Sequence, residues 1–320
     1  MRLLLSLLLF AVAAPFAAAS AEERIALVIG NGGYSFSPLA NPVNDARTIA
    51  SVLKQAGFDV RQYENLGQAK MKRAILRFGA ALSRSDVGLF YYAGHGVQVN
   101  GRNYLIPVDA NIQYENDIEI ESVDLASVLS KMKGAGNRLN IVILDACRNN
   151  PFTSNSRTLN QGLAFTNAPS GTLIAYATAP GGIADDGDGR NGIYTQYLAK
   201  HILTPGTRIE DVFKRVRVDV RQRTNGRQVP WESSSLEGDF YFYQGAAAAG
   251  KPSASRPVSP ATTPLPKRQA SRILAQQPRA KTTATGFNCT DLREKEAFSG
   301  DMGFGALSSK EQQYLDSHCQ

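Results

Sequence analysis

Apolar residues along this chain fall into two patterns. Short continuous runs, RIALVIG at 24–30, VGLFYYA at 87–93, NIVILDA at 140–146 and TLIAYAT at 172–178, are rich in Val, Ile, Leu and Tyr. Their length and composition predict strands covered on both faces. Between them, residues 43–56 and 71–82 carry apolar positions at helical spacing, 58–63 reads as a further strand, 103–106 as half of a hairpin and 123–132 as a helix. Strands alternating with helices predict an α/β fold, a mostly parallel central sheet with helices on both faces. Residues 193–202 and 208–223 follow as helices, the second opening on the capping box Thr207-x-x-Glu210. Residues 229–231 and 239–243 predict a last strand.

The ends depart from this alternation. Residues 1–21 hold one arginine, an apolar run and a closing stretch of small residues, the order of a secretory signal peptide. Pro15 keeps that run short of the roughly 20 apolar residues a membrane span needs. The expectation is a cleaved leader, a periplasmic or secreted location and no membrane span. The α/β pattern occupies 22–245. Residues 246–286, rich in Ala, Pro, Ser and Thr, bury too little apolar surface to order themselves and read as a disordered linker. The segment 287–320 contains an expected helix opening on Ser308-x-x-Glu311.

Charge and cysteine count narrow the function. Lys and Arg number 35 against 28 Asp and Glu, but 251–281 holds basic residues and no acidic ones, so part of the excess belongs to the linker. No helix or face collects a dense basic stripe, which speaks against nucleic acid as a partner. The cysteines are three: Cys147, Cys289 and Cys319. In an oxidising compartment an odd count implies one pair and one remaining thiol. Cys289 and Cys319 flank the last segment and are its natural disulfide, a staple that so small a segment needs. Cys147 remains.

Ligands of open α/β sheets bind beyond the carboxyl ends of the strands. Two reactive side chains stand there, His95 in YYAGHG and Cys147 in ILDACR. Taken singly, Cys147 is as consistent with a buried structural thiol and His95 with a hydrogen-bonded turn. Together they form a nucleophile and a base, since a thiol attacks an acyl carbon as its thiolate. His201 lies in an expected helix and His318 in the tail, which leaves His95 as the partner.

A Gly-His-Gly turn about 50 residues before an Ala-Cys-Arg strand end resembles the caspase arrangement. Asp145-Ala146-Cys147-Arg148 is closer to the Asp-x-Cys of metacaspases, and Asn44-Asp45-Ala46 and Tyr176-Ala177-Thr178-Ala179-Pro180-Gly181 resemble family segments in the same order. The likeness spans roughly 24–243 and implies a caspase-haemoglobinase-like fold. It also implies a cysteine endopeptidase in which Cys147 attacks the peptide carbonyl and His95 protonates the leaving amine. The N–H groups of Gly96 and Cys147 would form the oxyanion hole. The substrate would be a peptide or protein, and no cofactor is required.

The same resemblance bears on specificity. Asp45 and Asp145 match positions lining the acidic first pocket of metacaspases, and Asp185 and Asp186 put acidic charge where caspases carry a basic residue. An Arg or Lys at P1, the residue before the cut bond, is therefore expected. The alternatives are that Asp45 serves its own helix and that Asp185 and Asp186 are solvated loop charges. Ala93 stands where metacaspases often carry a pocket serine. The run Asp185–Gly189 offers oxygen ligands of the kind calcium prefers but lacks the twelve-residue loop ending in Glu; an acidic turn explains it equally, and no metal site is expected. Self-cleavage after Arg157 follows if the pocket takes arginine. A rival class is a catalytically silent caspase-like binding or scaffold module whose C-terminal segment engages a partner at the cell envelope.

Overall fold

The structure, a computed structural model, describes residues 22–146, 162–182, 184, 189–244, 314 and 317. The leader, the linker, Ser308, Glu311, Cys289 and Cys319 lie outside the described residues. The chain divides into two units, Met1–Pro252 and Ser253–Gln320. In the second, Tyr314 and Ser317 are helical, and the Ser317 hydroxyl donates to the Tyr314 carbonyl at 3.4 Å.

The first unit is built on a six-stranded sheet. Its strands are β1 (Arg24–Gly30), β2 (Asp59–Glu64), β3 (Val87–Ala93), β7 (Leu139–Asp145), β8 (Thr172–Tyr176) and β9 (Trp231–Ser234), in the order β2-β1-β3-β7-β8-β9. All neighbours run parallel except β9, which is antiparallel to β8. Every residue of β3, β7 and β8 is buried, as the continuous apolar runs require of strands covered twice.

Helix α1 (Pro42–Gln55) joins β1 to β2, and α2 (Gln68–Leu82) returns the chain across β1 to β3. Right-handed crossovers in opposite directions put these helices on opposite faces. Helix α4 (Leu125–Ala135) packs beside α2, while α5 (Ile193–Ile202) packs against α1 and against α6 (Ile209–Arg223). Alternation along β3 then sends Tyr91 toward α5 and Tyr92 to the other face.

A second sheet of three antiparallel strands, β4 (Gly96–Val99), β5 (Arg102–Leu105) and β6 (Val123–Asp124), rises directly after β3. Asn100 and Gly101 both have positive φ, 49° and 74°, as a two-residue hairpin turn requires. The expected half-hairpin at 103–106 is therefore β5. Its apolar side closes a small cluster of Tyr34, Val97, Tyr104, Ile106, Ala110 and Ile118.

Three expectations need correction. The helix expected at 123–132 starts two residues later, because Val123 and Asp124 pair with β5 and the Asp124 side chain caps α4 by accepting from Ala126 N at 2.8 Å. The Thr207 box does not form: α6 begins at Ile209 behind Arg208, with no side-chain cap. The last strand is Trp231–Ser234, and Tyr241 makes only an isolated bridge to Arg208. Helix α3 (Glu115–Glu121) was not expected at all.

Candidate active site

His95 leaves β3 and is 2% exposed. Its Nε2 lies 2.8 Å from the Ser37 carbonyl oxygen. A carbonyl only accepts, so Nε2 carries the proton and Nδ1 is the basic nitrogen of the neutral ring. Tyr34 and Phe36, from the loop after β1, flank the imidazole at centroid distances of 4.6 and 5.9 Å.

The turn itself is held by two buried phenols. His95 N donates to the Tyr34 hydroxyl at 3.0 Å, and the Tyr92 hydroxyl lies 3.0 Å from His95 O and 2.8 Å from Ile106 O. Ile106 N donates to His95 O at 3.0 Å. Burial, and then Tyr34, push the Tyr92 phenol well above its ordinary range, so it stays protonated. Gly94 has to be glycine here, because a Cβ would stand 2.6 Å from the Tyr34 hydroxyl and 2.7 Å from that of Tyr92.

The two chemical strand ends meet through Gly96. A Cβ at that position would lie 2.8 Å from the oxygen and 3.1 Å from the Cβ of Ala146, the residue to which Cys147 is bonded. Gly94 N donates to Asp145 O at 3.3 Å. Cys147 itself, with Arg157, Asp185 and Asp186, lies outside the described residues. Around them, Gly181 N donates to Leu163 O at 3.3 Å, so the chain on either side of 164–180 converges near Gly96, whose added Cβ would also meet Leu163 Cδ2 at 3.1 Å.

Asp45 and Asp145 are 0% and 1% exposed. Asp45 sits in the first turn of α1, yet its Oδ1 accepts from Asn191 Nδ2 and from Gly192 N, each at 2.9 Å. Those described bonds run to the start of α5 and not to its own helix. Asp145 Oδ2 accepts from Thr195 Oγ1 at 2.9 Å, and Thr195 Oγ1 lies 2.7 Å from the Tyr91 hydroxyl. Burial first, then the Asp145 and Asp45 charges, hold the Tyr91 phenol well above its usual range. Two carboxylates from different elements are thus fastened by one helix start, next to the strand end that leads to Cys147.

Residues 23–241 match the family model described as the caspase domain. The chain belongs to that family. It is 29% identical over 187 residues to human mucosa-associated lymphoid tissue lymphoma translocation protein 1, covering 57% of this chain and 22% of that protein. The mouse homologue is 29% identical over 222 residues, 68% of this chain and 26% of its own length. Mouse caspase-1 is 23% identical over 249 residues, 72% of this chain and 62% of its own. The chain therefore spans about a quarter of the first two relatives.

The caspase domain uses residues that sequence reasoning passed over. Tyr91 and Tyr92 fall in the expected strand 87–93 and Thr195 in the expected helix 193–202, while Tyr34 and Asn191 lie between expected elements; only alternation along β3 carried a signal, that its adjacent tyrosines face opposite ways. In register, Ala93 stands beside Asp145. Where a serine hydroxyl was missed at position 93, the caspase domain supplies one to Asp145 from Thr195.

Proposed function

We propose that this caspase domain is a cysteine endopeptidase that cuts proteins after arginine or lysine. The observation that carries the reading is the pair of buried carboxylates, Asp45 and Asp145, tied to the start of α5 beside the strand end leading to Cys147. A buried carboxylate pair favours a cation, and Arg fits best because its planar fork engages carboxylate oxygens two at a time. No helix among the described residues is long and apolar enough to cross a membrane, and the leader read at 1–21 supports export to the periplasm or beyond.

The chemistry follows from the ring geometry of His95. With Nε2–H committed to Ser37 O, the thiol proton of Cys147 passes to Nδ1. The sulfur then attacks the scissile carbonyl carbon. The oxyanion accepts from the N–H groups of Gly96 and Cys147, where loss of one donor in such a hole costs about 2.7–4 kcal/mol. Collapse breaks the C–N bond, Nδ1–H protonates the departing amine, and a thioester remains. Water, giving its proton to the same nitrogen, attacks the thioester and releases the carboxylate product and the thiol. No step needs a metal.

The test compares mature wild type and Cys147→Ala on matched fluorogenic peptides ending in Arg, Lys or Asp, with and without reductant and calcium. Cys147-dependent release after Arg or Lys supports the reading. Release after Asp keeps the mechanism and removes the pocket assignment; no release, together with no His95-dependent labelling of Cys147 by a peptidyl electrophile, makes this a binding module.

A further inference from the structure

We propose that Thr195 is a specificity-determining positioning residue: through a hydroxyl relay from Tyr91 it orients the Asp145 carboxylate toward a guanidinium at P1. The inference rests on the proposed basic P1 preference and names the part of the fold that shapes it.

Proton counting gives the relay a single direction. Thr195 has one hydroxyl proton, and it is donated to Asp145 Oδ2 at 2.9 Å. The 2.7 Å contact with Tyr91 must then run from the phenol to Thr195 Oγ1. Tyr91 keeps its proton because burial and the nearby carboxylates raise it well above its ordinary range. The chain Tyr91 to Thr195 to Asp145 therefore ends on an acceptor, and every member is fully buried.

Thr195 is also in an unusual place for its type. A helical threonine ordinarily turns its hydroxyl back to its own helix or out to water. Thr195, the third residue of α5 and 0% exposed, spends it on the end of β7. The two residues immediately before α5, Asn191 through its side-chain amide and Gly192 through its backbone N–H, hold Asp45. One rigid element thus references both carboxylates to each other. An ammonium is a compact charge that tolerates a rotated acceptor, whereas a guanidinium needs acceptor oxygens set in its plane. Loss of the Thr195 hydroxyl should therefore harm arginine substrates more than lysine ones.

The experiment uses the full mature chain and three variants. Thr195→Val keeps the shape and removes the donor, Thr195→Ser restores it, and Tyr91→Phe removes the phenol behind it. Arg and Lys peptides are compared for kcat and KM, and Cys147 alkylation by iodoacetamide, which has no P1 group, is timed alongside. Hydrogen bonds to charged groups predict a KM for Arg raised roughly tenfold or more in Thr195→Val, a smaller rise for Lys, an almost unchanged kcat and alkylation rate, and recovery in Thr195→Ser. An unchanged KM, an equal loss for Arg and Lys, a parallel fall in alkylation, or no recovery with Ser overturns the proposal. If Thr195→Val does not fold, Tyr91→Phe decides by the same readouts with a smaller rise. If the wild type turns over neither peptide, the function reading fails, and binding of butylguanidine against butylamine, followed by ligand-observed NMR, decides this one. Weaker butylguanidine binding in the variant sustains it; equal binding, or none to the wild type, overturns it.

Discussion

Gly96 leaves no room for a side chain against Ala146: a Cβ on Gly96 would lie 2.8 Å from the Ala146 oxygen. That contact joins the histidine turn to the strand end that carries Cys147. Gly96→Ala must push the two apart, and overpacking of this kind costs about 1–3 kcal/mol. Because a displacement of about 1 Å in a site can cost roughly a hundredfold in rate, kcat/KM is expected to fall far more than the melting temperature suggests. Peptide hydrolysis and thermal unfolding of the same preparation check it.

Tyr34 and Tyr92 act on the same turn, with hydroxyls 3.1 Å apart and both directed to Ile106 O. Removing either hydroxyl leaves the other to serve that carbonyl, so Tyr92→Phe should cost only about 1 kcal/mol of stability. Tyr34→Phe also deprives His95 N of its acceptor and should cost more. A double-mutant cycle is expected to show a coupling of about 0.5 kcal/mol or more, with the loss appearing in kcat and not in KM.

Asn31, fully buried after β1, ties three strands of chain together: it donates to Leu66 O and Ile106 O and accepts from Leu66 N. Asn31→Ala leaves those backbone groups buried without their partner. A destabilisation of about 2–3 kcal/mol is expected in urea unfolding. Little change would mean that water replaces the amide.

Acid sensitivity should trace in part to α5 and α6. Asp219 accepts from His201 Nε2 at 2.9 Å and from Lys200 at 3.2 Å, and the His201 hydrogen bond leads the causes that hold its carboxyl below the usual 3.8. A carboxyl lowered in the folded state binds more protons when unfolded, so its stabilisation is present above about pH 4 and disappears as pH falls through the folded value. Asp219→Asn should melt lower than wild type at neutral pH, and the two melting curves should converge on acidification below about pH 4.

Self-cleavage after Arg157 is expected if the proposed peptidase accepts arginine. Intact mass of wild type and Cys147→Ala after incubation tests it. Two fragments in the wild type alone would bear the idea out; unchanged masses in both would remove it.

Local patterns sufficed for much of this fold. Apolar runs set β1 and β3 to the residue, and helical spacing set α5 at 193–202, because strands buried on both faces and amphipathic helices write their burial into consecutive positions. The positions of His95 just after β3 and of Asp145 at the end of β7 were legible for the same reason, each lying at the carboxyl end of an apolar run. Elements defined by a partner were not. Helix α3 buries only Ile118 and so has no apolar stripe, β6 is two residues that become a strand by pairing with β5, and β9 is an edge whose polar residues gain order from β8. The relay through Tyr91, Thr195 and Asp145 joins residues 104 and 50 positions apart, and Asn191 reaches Asp45 across 146. Hydrogen bonds depend on distances of about 3 Å and on direction, quantities that exist only once the helices have packed on the sheet.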